Sequence, residues 1–384
     1  MLRSYVTTVS ILGITCGAPL GAFLTSWMGW QWAFLIHIPF AMICLTIISL
    51  SLPSTRPPPF VTSRSYGSIE SCKAPENTTR MSFDILGLIL LFTSITGFLG
   101  FVQLTQAEDL ENKSILLTIC AAVFVGCSTV FYLNETRWAQ DPMIHFSLFS
   151  PNKLGLIYGA QLLIGIAQFS MSPLLADYWV SARGLSASQG AMCWMPGTIG
   201  FATGSLVTGK LIQKTHKCVR WTIVGLMMTI ASFALILVRW TVLEPHFWEI
   251  VYTFPGWFGM GMILSSQFAA LAATRPEQNA ATSVTTYYFA QQVGLMTGIT
   301  AAKALLIKEI RRALNVTLSG LPGRAGLIDK IMKRRHITGL LSPPLAEPVR
   351  LAIQRSYYVS PAISLTSLLL AFFIVLKQKE IKTF

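Results

Sequence analysis

The side chains of this sequence that could do chemistry are uncharged, and they sit inside apolar runs. Gln161 and Gln168 are seven residues apart, which puts both amides on one face of a helix. Ser265, Ser266 and Gln267 interrupt a second run. Tyr287, Tyr288, Gln291 and Gln292 cluster in a third, where Tyr288 and Gln292 are four apart on one face. Amides and hydroxyls in such surroundings hydrogen-bond either the polar groups of a solute or those of a neighbouring helix. Both uses are open on sequence alone. Gln161, Gln168, Gln267, Tyr288, Gln291 and Gln292 are the candidates for lining a solute cavity.

Ionisable groups within the apolar runs are few. Asp177 lies near the end of its run, Glu249 near the start of another and Lys303 near the end of a third. Each reads as a residue of the membrane interface, not as a central proton carrier. His37, His145, His216, His246 and His336 are scattered, and no nucleophile elbow, phosphate loop or zinc-binding helix pattern accompanies them. An enzyme is not expected, nor a cofactor, nor a metal. Cys16, Cys44, Cys120, Cys127 and Cys193 lie in apolar runs, Cys72 and Cys218 in polar loops, and none has metal-ligand spacing. They read as small hydrophobes.

The elements that must position these groups are set by composition. Of 384 residues 53% are hydrophobic and 12% charged, against about a quarter charged in an ordinary soluble domain. The apolar residues come in ten blocks, over 5–28, 31–52, 85–105, 115–133, 155–178, 188–211, 221–240, 248–273, 282–306 and 358–376. Each has about the twenty residues a bilayer crossing needs. The fold class is an all-α polytopic membrane protein with about ten transmembrane helices. Met1 to Tyr5 hold one Arg3 and no cleavage pattern, so the first block reads as a span that stays in the protein. Trp194, Met195 and Pro196 read as packing or a helix irregularity.

Basic residues in the short loops give an orientation. With the N-terminus cytoplasmic, segments 53–82, 134–154, 212–220, 274–281 and the tail share that side and hold most Lys and Arg of the short loops, against Lys113 and Arg183 opposite. The positive charge thus tracks topology, and no nucleic-acid partner is expected. Segment 307–357 breaks the pattern: on the far side, it holds ten Lys or Arg and only Glu309, Asp329 and Glu347, for a net +7 of the chain's +13. IKEIRRAL and GLIDKIMKRRHITGLL within it suggest two short amphipathic helices lying along the membrane. Asn315-Val316-Thr317 is a glycosylation sequon usable on that side. Segment 53–82, rich in Pro, Ser and Thr, reads as a flexible cytoplasmic linker, and the sequon at Asn77 within it reads as a chance match.

One further pattern concerns packing. Gly13, Gly17 and Gly21 recur every four residues, so one helix face is bare enough for a close backbone approach, and Pro19 beside it loosens the helix. A Gly-Trp-x-Trp pair and a second apolar helix follow.

The run CGAPLGAFLTSWMGWQWAFLIHIPF, from Cys16 to Phe40, resembles the antiporter signature of the major facilitator superfamily, in its fourteen-helix drug:H+ antiporter branch. FDILGLILLF resembles the extra helix pair of that branch, and residues 184–215 are similar to its tenth-helix region. Among members, CGAPLG with GWQWAFLI is most like the fungal vacuolar basic amino acid transporters. Ala22 stands where the family usually repeats Gly, and Ser26 where it usually has Asp.

The resemblance implies a major facilitator fold and proton-coupled antiport of small cationic or amphipathic solutes by alternating access. Basic amino acids moved into the vacuole are the first expectation; drug or toxin efflux, or a transport-incompetent protein, are the alternatives. It implies that Gly13, Gly17 and Gly21 pack between bundles while Pro19 shapes a bend. The signature belongs to the fifth helix of the branch and stands on the first here, so the chain is expected to lack the first four helices, which carry the branch's membrane carboxylate. The organisation expected is the last two helices of an N-terminal bundle (1–52), the linker (53–82), the extra pair (83–135), a cytoplasmic loop (136–154) and a C-terminal six-helix bundle (155–384). Partners are then a small-molecule solute, protons and the lipid bilayer. The protein is expected to be a multi-pass monomer of the vacuolar rather than the plasma membrane.

Overall fold

The computed structural model describes residues 13, 17, 20–21, 23–25, 27–51, 84–106, 112–138, 154–181, 184–185, 187–242, 246–274, 280–319, 323–333 and 343–378. All regular structure among them is helical. The chain divides into two compact units, Leu20–Phe83 and Met1–Pro19 with Asp84–Phe384.

In the smaller unit a helical stretch ends at Gly29, whose φ of +93° and ψ of 161° suit only a residue without Cβ. The helix restarts as α1 (Trp30–Leu35) and, past Ile36, α2 (His37–Ser51). Nothing in α2 is buried; Ile38, Phe40, Ile43 and Leu45 stay exposed, the surface of a helix that faces hydrocarbon.

The larger unit opens with a hairpin of α3 (Ile85–Gln106) and α4 (Lys113–Leu133). Asp84 starts α3 by accepting a bond from the Gly87 amide (2.8 Å), and its other oxygen accepts from Asn134 Nδ2 (2.7 Å), in the π-helical turn that ends α4. One carboxylate thus caps one helix and ties the two together. Ser94 and Ser128 hydrogen-bond across the pair at 2.6 Å.

The bundle follows as α5 (Leu154–Ser181), α6 (Ala187–Met192), α7 (Met195–Thr215), α8 (Cys218–Val242), α9 (Thr253–Thr274), α10 (Ala280–Thr317), α11 (Arg324–Lys333), α12 (Pro343–Ser356) and α13 (Val359–Gln378). Contacts fix the directions. Tyr158 meets Ser283 and Gly165 meets Gly294, so α5 and α10 run parallel. Ser205 bonds Ser265 (2.6 Å) and Gly197 abuts Trp257, so α7 and α9 do too. Thr222 bonds Ser266 (2.8 Å) while Ser232 bonds the Tyr252 carbonyl (2.8 Å), so α8 and α9 are antiparallel. Ser170 bonds Ser364 (2.8 Å) and Gly159 lies by Ile374, so α5 and α13 are antiparallel. These pairings fit helices that cross in alternating directions.

Among the described residues, six stretches are long and apolar enough to cross a membrane: Trp30–Ser51, Ile85–Thr105, Lys113–Trp138, Leu154–Met171, Cys218–Trp240 and Leu345–Gln378. α7, α9 and α10 have 21, 22 and 38 residues, long enough to cross, but are diluted by Gly, Ser, Thr and Gln. Those small and polar residues are what the helices pack through. The block at 188–211 is broken by a turn at Cys193 and Trp194, with Pro196 in the first turn of α7.

Two expectations need correction. IKEIRRAL is no separate surface helix: α10 runs unbroken to Thr317, because Ala, Leu, Lys, Glu and Arg after position 300 are all strong helix formers. At 1.5 Å per residue its 38 residues span about 57 Å, well beyond the roughly 30 Å hydrocarbon core. Cys218 is not a loop residue but the first residue of α8, and it is buried. GLIDKIMK does form a helix, within α11, and α12 adds another.

The end of α10, with α11 and α12, packs onto one end of the bundle. Leu314, Ile328, Val349, Ile353 and Tyr357 share one buried cluster with Tyr178, Trp179 and Trp240. Tyr178 stacks on Trp240 (ring centroids 5.4 Å apart) and donates its hydroxyl to the Trp240 carbonyl (2.7 Å), which also accepts from Gln354 Nε2 (3.1 Å). This end carries a helical lid, and the lid accounts for much of the basic segment.

Candidate solute site

The bundle is held by glycines at which backbones touch. A Cβ at Gly294 would strike the Leu162 carbonyl, one at Gly298 the Ile166 carbonyl, and one at Gly165 would lie 2.8 Å from the Gln291 carbonyl. The α7–α9 seam is built alike, with Gly204 against Phe258 and Gly261 against Phe201. Such seams exclude side chains and water between helices and let the interface hydroxyls pair at short range.

Beside the α5–α10 seam sits Gln161, one turn before Gly165. It is fully buried, and among the described residues neither its amide oxygen nor its amide nitrogen has a hydrogen-bond partner. Each such group costs about 1–3 kcal/mol when buried unsatisfied, so this is an expensive residue to keep where a leucine would fit. One turn earlier Tyr158 donates its hydroxyl to the Ser283 carbonyl (3.3 Å), and the buried Ser283 hydroxyl has no partner among the described residues. Tyr158 and Tyr287 belong to one buried cluster with Ala270 and Leu271 of α9. On α9 the buried Gln267 donates from Nε2 to Gln378 Oε1 of α13 (3.2 Å), which leaves the Gln267 oxygen and the Gln378 nitrogen unpaired. The arrangement is a polar, uncharged and incompletely satisfied set facing the interior of four helices.

The structure sorts the sequence candidates. Gln161 and Gln267 are buried; Gln168 and Gln291 are half-buried. Tyr288 is 42% exposed, packed edge-on to Tyr287 at 5.6 Å, and Gln292 faces outward toward α3 and α4. The tyrosine of that cluster that faces the interior is therefore Tyr287, one residue earlier on the helix. Asn315 is exposed in the last turn of α10. Gly13, Gly17 and Gly21 are described, and a Cβ at any of them would meet none of the described residues within 4 Å; Pro19 lies outside the described residues.

Sequence reasoning missed three groups. Tyr158 and Ser283 gave no signal, since lone hydroxyls in apolar helices are common. Glu249, read as an interface residue, does stand at a helix end, but it is fully buried in an ion pair with Arg239 (2.5 and 3.4 Å) and accepts from the His246 amide (3.3 Å). The ten-residue separation of Arg239 and Glu249, across a break between helices, hides the pairing from any helical-spacing argument.

The Major Facilitator Superfamily model matches residues 3–299, most of the chain. The chain belongs to this superfamily. Vacuolar basic amino acid transporter 2 of Saccharomyces cerevisiae is 22% identical over 80% of this chain and 64% of its own length. Efflux pump mokI of Monascus pilosus is 22% identical over 86% of this chain and 61% of its own. A solved bacterial homolog of the human lysosomal transporter Spinster, inward-facing and occupied, aligns with a TM-score of 0.47 at 16% identity, over 78% of this chain and 65% of that one. The chain thus spans under two thirds of the length of these relatives. As a member of this superfamily it is an all-α multi-pass membrane protein.

Proposed function

We propose that this chain is the later part of a proton-coupled antiporter of the fourteen-helix branch, moving basic amino acids into a vacuole as a monomer. The observation that carries the reading is Gln161, a buried amide with both hydrogen-bonding groups open inside a transporter bundle. An uncharged amide suits a solute that presents both ammonium and carboxylate groups: its oxygen accepts from the one and its nitrogen donates to the other. A solute bound there bridges α5 to its neighbours, so entry and release require the helix groups to rock about it. Gln168, Gln267 and Gln291 extend the candidate path, while the exposed Tyr288 and Gln292, which faces α3 and α4, lie off it. Gly13, Gly17 and Gly21 would supply the closing face toward four helices upstream, for which a chain spanning under two thirds of its relatives' length leaves room. The yeast relative's printed name supports the substrate class; the efflux relative supports cationic drugs as the other cargo.

A second reading, a transport-incompetent membrane protein, is favoured by one placement. Asp177 and Glu249 stand at helix ends, and a proton-coupled step needs a carboxylate whose surroundings change. Both readings meet in one assay. Proteoliposomes carrying the chain, acid inside, are expected to take up labelled lysine or arginine above empty vesicles and to stop when the proton gradient is collapsed. No uptake of either amino acid or of a cationic dye overturns the transporter reading of this chain. Translation of the genomic sequence upstream of Met1 then asks whether four further spans rejoin it.

A further inference from the structure

Four Asn-x-Ser/Thr triplets occur in the chain, at Asn77, Asn112, Asn134 and Asn315. The pattern alone treats them alike; fold and orientation do not. Asn77 lies outside the described residues, in the segment expected on the cytoplasmic side. Asn134 is expected on that side as well, and it is buried with its side-chain amide donated to Asp84 (2.7 Å). Asn112 and Asn315 are expected on the far side, and both are exposed. Their heights along the membrane normal differ. α3 and α10 run side by side in one direction, because Phe98 shares an apolar crevice with Met296 and, further along both helices, Thr105 shares a cavity with Ala304. Asn112 immediately precedes α4 in the hairpin turn at that level, where Lys113 donates to the Thr105 carbonyl (3.2 Å). Asn315 stands eleven residues past Ala304, about 16 Å along the helix. The headgroup layer is about 5–7 Å deep on each side, so Asn112 lies within it and Asn315 clears it.

We propose that Asn315 is N-glycosylated, and that it alone of the four carries a glycan. Its surroundings accept one. Leu314 and Leu318, one turn apart, are fully buried in the cluster they share with the lid, which turns Asn315 and the exposed Val316 outward. A glycan there displaces no packed side chain and covers the apolar Val316. In the transfer, Asn315 Nδ2 bonds the anomeric carbon of an oligosaccharide supplied on a lipid pyrophosphate. The bond from that carbon to the pyrophosphate oxygen breaks, the lipid pyrophosphate leaves with the electron pair, and one amide proton is released. The hydroxyl two residues on, which completes the acceptor motif, is Thr317 Oγ1, and in the folded chain it donates to the Ala313 carbonyl (2.9 Å). Transfer therefore precedes closure of the last turn of α10, during synthesis of the chain. The inference rests on orientation and height and is independent of which solute is moved.

The test is expression of the whole chain in yeast, with immunoblots of the carbonate-resistant membrane fraction before and after peptide N-glycosidase. Membrane-integrated chain is expected to run one glycan heavier until the enzyme is added. Asn315→Gln should abolish the shift, and glutamine at this exposed position is a good helix former, so the fold is kept. Thr317→Ala should abolish it too, whereas Thr317→Ser should retain it, because serine also completes the acceptor motif. Asn77→Gln and Asn112→Gln should leave it unchanged. Peptide mass spectrometry after the enzyme places the deamidated acceptor at position 315. Integrated chain without an enzyme-sensitive shift, or a shift that survives Asn315→Gln, would overturn the proposal.

Discussion

A Gly294→Val substitution is expected to part α5 from α10 and to destabilise the protein by about 3 kcal/mol or more. The added atoms would meet the Leu162 carbonyl, and a Cβ alone would already lie 3.1 Å from the Ile166 amide nitrogen. Both are backbone atoms of a buried helix and cannot swing aside. The helices must separate, and with them go the close packing at Gly165 and Gly298 and the Tyr158–Ser283 bond. Thermal unfolding in detergent micelles checks this. Gly13→Ala is the contrast, because a Cβ there meets none of the described residues within 4 Å. Alanine is also the better helix former by about 0.5–1 kcal/mol, so its unfolding temperature should hold or rise. Equal unfolding temperatures for Gly294→Val and the parent protein would show that the α5–α10 seam is not a rigid contact.

Gln161→Leu is expected to separate stability from function. It removes two buried polar groups without partners and puts an apolar side chain of similar size in their place. Relief of the desolvation cost should raise stability by about 1–3 kcal/mol. Lysine uptake should fall at least about tenfold, the loss of one or two hydrogen bonds to a charged solute. A purely structural glutamine moves the other way: its loss lowers stability and leaves uptake in proportion to folded protein. Gln161→Asn, which keeps both groups on a shorter stem, should retain part of the uptake.

The sequence made the class and the helical pattern readable because a bilayer imposes one rule, that apolar blocks of crossing length be helices. It was less informative where helices are diluted by function and packing. α7, α9 and α10 carry Gly, Ser and Gln, and those residues read as polar interruptions until their partners are known. The glycine ladder at 13, 17 and 21 drew attention because its spacing is regular. Gly165, Gly294 and Gly204 are less conspicuous, yet they are the positions where backbones touch. Spacing shows which residues share a face, not what that face meets. For the same reason Gln161 and Gln168 were found together, although only Gln161 is sealed from solvent. In the ninth block the i, i+4 spacing puts Tyr288 and Gln292 on one face, while the buried neighbour is Tyr287. The lid of α11 and α12 was legible as amphipathic sequence, but a membrane surface and a bundle end attract the same pattern.

The central claim is that the Gln161 amide meets the transported solute. It is tested most directly by placing a single thiol there, Gln161→Cys with the native cysteines replaced by serine or alanine, and measuring its rate of labelling by a small maleimide in proteoliposomes. Slow labelling that lysine or arginine slows further, at concentrations that saturate uptake, is the predicted result. A labelling rate that neither amino acid changes would contradict the account.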